Sequence, residues 1–174
     1  GHFTEEFYRA CESHLADRGL MGQWLHAYGM TDDTFRDAVA TFQKVFPYVT
    51  VWEMWVSGDY LFIGSKTPYE IDLATMERWL AREPIVDDLR RIGVSTPGGL
   101  LGDLVATQED LAGFAGARIQ TDDGLHLEFH APLALAGHPR PSARRSVLVV
   151  SDRLFLPDRI GRRERSVHDL ACLM

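Results

Sequence analysis

Several groupings in this 174-residue chain place side chains with binding or reactive chemistry at telling intervals. In LMGQWLHAY, Gln23 interrupts an apolar run of strand length, and an amide can accept a hydrogen bond from an ammonium without adding charge. If that run is a strand, Trp24, His26 and Tyr28 alternate onto the face opposite Gln23. His26 has no acidic partner that the sequence can name, and a packed or surface histidine is the commoner use of such a residue. Asp122 and Asp123 form a carboxylate pair in TDDG that could hold an ammonium, although capping a turn is the more usual role. In HLEFH, the residues His126, Glu128 and His130 would share one face of a strand, so a metal is geometrically conceivable. Catalytic zinc motifs instead put their histidines on a helix with a different internal order, and no metal is expected. Ser57, Ser65 and Ser95 lack the strand-to-helix elbow of a serine nucleophile. Cys11 and Cys172, at opposite ends, are too few for a disulfide framework or a four-cysteine zinc site.

The elements that must position these residues follow from periodicity. Thr4 is a good N-cap with Glu5 and Glu6 behind it, and Phe7, Cys11 and Leu15 form an apolar stripe that Gly19 can end. Thr31 caps a second helix with Phe35, Ala38, Val39, Phe42 and Val45 on its buried face, stopped before Pro47. YVTVWEMW reads as a strand, SGD as a tight turn and YLFIGS as a further strand, apolar on both faces and so expected inside a sheet covered by helices on both sides. The succession predicts part of a three-layer α/β domain closed by an antiparallel pair. Beyond residue 68, Ile71 to Leu80 and Ile85 to Ile92 fit helices, and Leu100 to Phe114 one or two short ones. LHLEFHAPLAL is expected as a strand or ordered coil, and SVLVVSDRLFL as strand-like.

Charge narrows the partners. Residues 1–137 carry 10 Lys+Arg against 21 Asp+Glu, whereas residues 138–174 carry 8 Arg against 4 acids. An acidic body argues against nucleic acid as the partner and suits a cationic ligand. No apolar run reaches the roughly 18 residues of a membrane span, and the first residues lack signal-peptide character. The expectation is a cytoplasmic domain.

The blocks FTEEFYRACESHLADRGLMGQW, YGMTDDTFRDAVATFQKVFPYVTVW, GDYLFIGS and TDDGLHLEFHAP, in this order, resemble the C-terminal half of the spermidine synthase-like aminopropyltransferases. The resemblance is to a bacterial branch with a QW-L-x-x-YG strand exit, some of whose members are fused to membrane segments, so a longer parent of this kind can be membrane-attached. It spans residues 3 to 135 and leaves the arginine-rich tail unmatched. The family transfers an aminopropyl group from decarboxylated S-adenosylmethionine to a diamine, on the doubly wound sheet of S-adenosylmethionine-dependent methyltransferases.

The resemblance implies that residues 20–28 and 49–56 are the fifth and sixth strands, with residues 60–65 an antiparallel seventh strand inserted between them. It implies that Gln23 matches a glutamine at the end of the fifth strand that lines the diamine pocket. It also implies that Trp55, in Trp55-Val56-Ser57-Gly58, stands where the family commonly has a substrate-facing tyrosine. There it keeps an aromatic wall and a cation–π face while losing the hydroxyl; a core or interface tryptophan is the commoner use.

The family's glycine-rich nucleoside turn and the loop bearing its catalytic aspartate have no counterpart in this sequence, so no catalytic or cofactor-binding residue is assigned and the chain alone is expected to be inactive. The expected class is α/β: the C-terminal part of a doubly wound methyltransferase-like sheet (strands 5–7, the last antiparallel) plus a helical C-terminal extension. The expected divisions are residues 1–67, a helical extension over 68–137 ending in the TDD/LEF segment, and the arginine-rich tail 138–174. The fifth strand normally pairs with a fourth, so residues 20–25 are expected to form an unpaired edge that recruits a second copy into a homodimer. A non-catalytic interaction scaffold and a methyltransferase fragment are the alternative readings.

Overall fold

The computed structural model describes residues 1–54, 58–114 and 116–135, the last five of these by backbone alone. Helix α1 (Glu5–His14) starts where Thr4 Oγ1 accepts from the Phe7 amide, and Glu5 and Glu6 occupy its positively polarised first turn. Its stripe of Phe7, Cys11 and Leu15 is half-buried, while Tyr8 on the neighbouring row is the side chain driven fully inside. Strand β1 (Leu20–His26) leads through Tyr28-Gly29 to helix α2 (Asp32–Val45), capped by Thr31 Oγ1 accepting from the Thr34 amide. Gly29 takes φ 75°, a left-handed conformation that costs glycine least. Strands β2 (Tyr48–Glu53) and β3 (Asp59–Ser65) follow, the hairpin re-entering β3 through Gly58 at φ 96°.

β3 lies between β1 and β2 and is antiparallel to both, the arrangement that the resemblance implies for the seventh strand. Opposed residues of an antiparallel pair share a face. Leu25 and Tyr60, Phe62 and Val51, and Val49 all point to one face and are at most 2% exposed. Against it lie the expected α2 residues Phe35, Ala38, Val39, Phe42 and Val45, all buried. Gly64 is what lets the helix approach so closely: a Cβ there would sit 2.7 Å from Phe42 ring atoms and 2.8 Å from Phe46 Cβ.

The other face is more open among the described residues of this unit. Leu20, Trp24 and Tyr48 are exposed and Leu61, Ile63, Thr50 and Trp52 only half-buried. Among the described residues of this unit both large helices lie on one face, so the apolar character of β3 on its second side is met by solvent and by the Tyr69 phenol, which bonds Thr50 Oγ1 at 2.6 Å and donates to the Ile63 carbonyl at 3.2 Å.

The described chain forms two units. Residues 1–69 and the described residues from 105 onward form one unit, and residues 70–104 a second. The segment from 105 returns to the sheet of the first unit. Strand β4 (Leu104–Thr107) follows β2 in the strand order, where short helices were expected; four residues are too few to show periodicity, and their pairing on the edge of β2 decides their conformation. A short 3-10 helix (Asp110–Phe114) buries Leu111 and Phe114 in the same core. In the second unit α3 (Leu73–Leu80) and α4 (Glu83–Arg91) are the expected helical segments, with Arg82 stacked 3.8 Å from the Trp79 ring centroid, whereas α5 (Pro97–Leu101) begins on the Pro-Gly-Gly stretch ahead of the expected start at Leu100.

The segment expected as strand or coil is helix α6 (His126–Leu135). The alternation Leu-His-Leu-Glu-Phe-His mimics a strand, yet local anchoring wins: the Leu127 amide donates to Gln120 Oε1 at 3.1 Å, and Leu127 enters the core beside α2. Among the described residues no helix is long and apolar enough to cross a membrane. SVLVVSDRLFL and the arginine-rich tail lie outside the described residues.

Candidate functional site

Gln23 is the central residue of β1, with the carboxyl end of the strand three residues further on at His26. It stands opposite Phe62, on the helix-packed face, and its Nε2 donates to the Trp24 carbonyl at 2.9 Å. That bond engages the amide nitrogen and not the oxygen that an ammonium would need. Trp55 lies outside the described residues.

Trp24, His26 and Tyr28 do alternate onto the opposite face. Their rings form a ladder along the strand, with centroids 5.3 Å apart from Trp24 to His26 and 4.7 Å from His26 to Tyr28. Trp24 is 47% and Tyr28 52% exposed, so the ladder opens to solvent. Opposite His26 in the register stands Asp59, only 9% exposed, whose Oδ1 is enclosed without a hydrogen-bond donor. Partial desolvation, then the charge of the neighbouring Asp59 carboxylate and the hydrogen bond the phenol makes to it, raise the Tyr28 phenol above its ordinary value. Gln23 and the ladder therefore occupy different faces and do not converge on one pocket. Sequence reading noted the ladder and passed over Asp59; the available signal was an acidic residue opening an otherwise apolar strand.

The TDD block serves the fold. Asp122 Oδ1 accepts from the Gly1 amino group at 2.9 Å and from Thr4 Oγ1 at 2.8 Å, and the Asp122 amide donates to Glu6 Oε2 at 3.1 Å. The bond from the amino group, then that from Thr4, hold the Asp122 carboxyl below its ordinary range. Thr121 and Gly124 close the turn, and Asp123 points to solvent.

HLEFH is also not a shared strand face. As a helix it stacks the rings of His126 and His130 at 3.7 Å, and Glu128, two residues along, falls on a different side. Among the described residues no group of three or more His, Cys, Asp or Glu side chains converges as a metal site.

What sequence reading missed is a buried polar cluster between α2 and the segment 118–127. Asp37, its side chain 9% exposed, accepts from the Arg118 amide at 2.9 Å and from Gln120 Nε2 at 3.4 Å. His126 Nδ1 lies 3.5 Å from Asp37 Oδ2, near enough to feel its charge while making no hydrogen bond. Burial raises Asp37 above its ordinary 3.8, opposed by the Arg118 amide and by His126. Burial, then His130 and Arg118, lower His126 below 6.5, opposed by Asp37 and Asp33.

The two groups act with opposite sign. The unfolded chain protonates His126 first, so that contribution is lost as pH falls below about 6.5. The folded chain holds the Asp37 proton more tightly, so that contribution is present at low pH and lost as pH rises through the raised value. Thermal midpoints measured from about pH 7.5 to about pH 4 are expected to fall in the native chain, to fall less in His126→Gln and to fall more steeply in Asp37→Asn. Equal slopes in all three would show that this pair does not set the acid response.

With this geometry in view, the class that the structure defines is a mixed α/β fold with a four-stranded sheet, against one face of which α1 and α2 pack. Comparison with protein-family models, with curated proteins and with solved structures finds no match.

Proposed function

We propose that this chain is the amine-side half of a spermidine synthase-like aminopropyltransferase domain, in which the amine nitrogen of a diamine attacks the carbon next to the sulfonium of decarboxylated S-adenosylmethionine. The observation that carries the reading is the strand order β1-β3-β2, with an antiparallel strand inserted between two parallel neighbours, joined to the ordered sequence blocks that resemble the family. The chain's part is to position the diamine, with Gln23 on β1 as the polar contact and Trp55 as the aromatic wall. The sequence has no glycine-rich nucleoside turn, so the chain by itself performs no transfer.

The test is release of methylthioadenosine from decarboxylated S-adenosylmethionine and putrescine. The chain alone should release none. A protein extended upstream in the same reading frame should release it, and Gln23→Ala in that protein should lower kcat/KM about tenfold or more, the usual cost of a lost hydrogen bond to a charged group. An extended protein that is inactive, or indifferent to Gln23→Ala, would refute the reading. The first of these results would favour the binding-scaffold alternative, to which the separation of Gln23 from the aromatic ladder also lends weight.

The same reading includes a homodimer. Among the described residues β1 ends the strand order, so its outer edge offers backbone groups unpaired by any described strand beside the exposed Leu20 and Trp24. Sedimentation velocity at micromolar concentration should give a dimer, and Leu20→Lys, an edge charge that opposes strand pairing, should give a monomer. A native monomer would end this part of the proposal.

A further inference from the structure

We infer that the exposed face of β1 carries a second, independent site for a small organic ammonium, built from the Trp24–His26–Tyr28 ladder and the carboxylate of Asp59. Three observations converge on it. The ladder sets three rings at centroid spacings of 5.3 and 4.7 Å with Trp24 47% and Tyr28 52% exposed, and aromatic rings attract cations. Asp59 stands opposite His26 in the strand register, on this same face and at the end of the sheet where Tyr28 emerges. It is 9% exposed, and its Oδ1 is enclosed with no donor among the described residues.

A buried carboxylate oxygen without a donor carries an unrecovered desolvation cost, and a cation bearing N–H groups recovers it. Aromatic faces beside a carboxylate discriminate by charge and by hydrogen-bond donation together, and they favour an alkylammonium over a metal ion, which needs several oxygen ligands. The acidic balance of residues 1–137, 10 Lys+Arg against 21 Asp+Glu, adds a long-range attraction for cations. Access requires the Tyr28 ring to swing from the Asp59 carboxylate, a motion open to a side chain 52% exposed.

This site lies on the opposite face from Gln23, so it does not rest on the transferase reading. Isothermal titration of the full chain with putrescine, and with 1,4-butanediol as its uncharged counterpart, tests it. Putrescine should bind saturably and butanediol should not. Asp59→Asn should weaken putrescine at least tenfold, and the exposed Trp24→Ala about three- to fivefold, with thermal melting confirming that both variants fold. Asp88→Asn, which removes an exposed carboxylate of α4 that belongs to neither set of contacts, should leave the affinity unchanged. Absence of saturable putrescine binding, equal binding of butanediol, or native affinity in Asp59→Asn would overturn the site. Affinity lost in Gln23→Ala and kept in Asp59→Asn would overturn it too, while leaving the transferase proposal standing. Asp59-dependent binding would support the site whatever the transfer assay gives.

Discussion

Phe42→Ala is expected to destabilise the chain by about 3 to 5 kcal/mol, the cost of emptying a well-packed aromatic position. Phe42 is 2% exposed and forms the hub of the core. Its ring meets Tyr8 edge-on at 5.1 Å, Phe46 at 4.8 Å and Phe62 at 5.9 Å, and so joins α1, the end of α2 and β3. The alanine variant removes the ring that fills the space above Gly64, where the backbone of β3 offers no side chain to collapse into the hole. Domains of this size have total stabilities of about 5 to 15 kcal/mol, so one substitution removes a large fraction of the total. Urea unfolding followed by circular dichroism measures it, with Phe42→Leu as the milder comparison. A loss below about 1 kcal/mol in Phe42→Ala would mean that the aromatic cluster is not the organising core.

Gln120→Leu is the second large effect, of a different kind. Gln120 is 1% exposed and is the polar hinge on which three helices meet. Its carbonyl accepts from the Glu5 amide at 2.8 Å and its amide donates to Thr41 Oγ1 at 2.9 Å. Its side chain accepts from the Leu127 amide and donates to Asp37. Leucine keeps much of the volume and all the backbone bonds, so the variant isolates the side-chain amide. It leaves the Leu127 amide without its acceptor and Asp37 with one donor fewer, at about 1 to 3 kcal/mol for each buried group so stranded. Hydrogen exchange should show the loss at the first amides of α6, with the sheet little changed. Uniformly faster exchange would mean instead that the cluster supports the whole unit.

How much of this was legible in the chain depends on the range of the forces involved. α1 and α2 were readable because their caps, first-turn carboxylates and apolar rows are encoded within a few residues: Thr4 with Glu5 and Glu6, Thr31 with Phe35, Phe42 and Val45. The β2–β3 pair was readable from β-branched and aromatic runs around Ser-Gly-Asp. β4 and α6 were not. Leu104–Thr107 is too short to carry a period, and the alternation in Leu125 to His130 indicates a strand until Gln120 and the α2 surface hold it as a helix. Apolar residues on both faces of β3 suggest two covers, of which one is present among the described residues of its unit.

The candidate site divides the same way. Residue types and parity alone put Trp24, His26 and Tyr28 on one face and Gln23 on the other, because a strand reverses its side chains at every residue. Sequence alone also set the acidic body and the lack of a glycine-rich turn. Only the tertiary structure brought Asp59 opposite His26 and enclosed one of its oxygens, since that pairing depends on the register between strands separated by all of α2. Only it gathered Asp37, Gln120 and His126, which are up to 89 residues apart in number (37 to 126) yet meet because α6 docks on α2. Local composition chose the elements; desolvation and hydrogen-bond satisfaction at their contacts chose which polar groups ended up together.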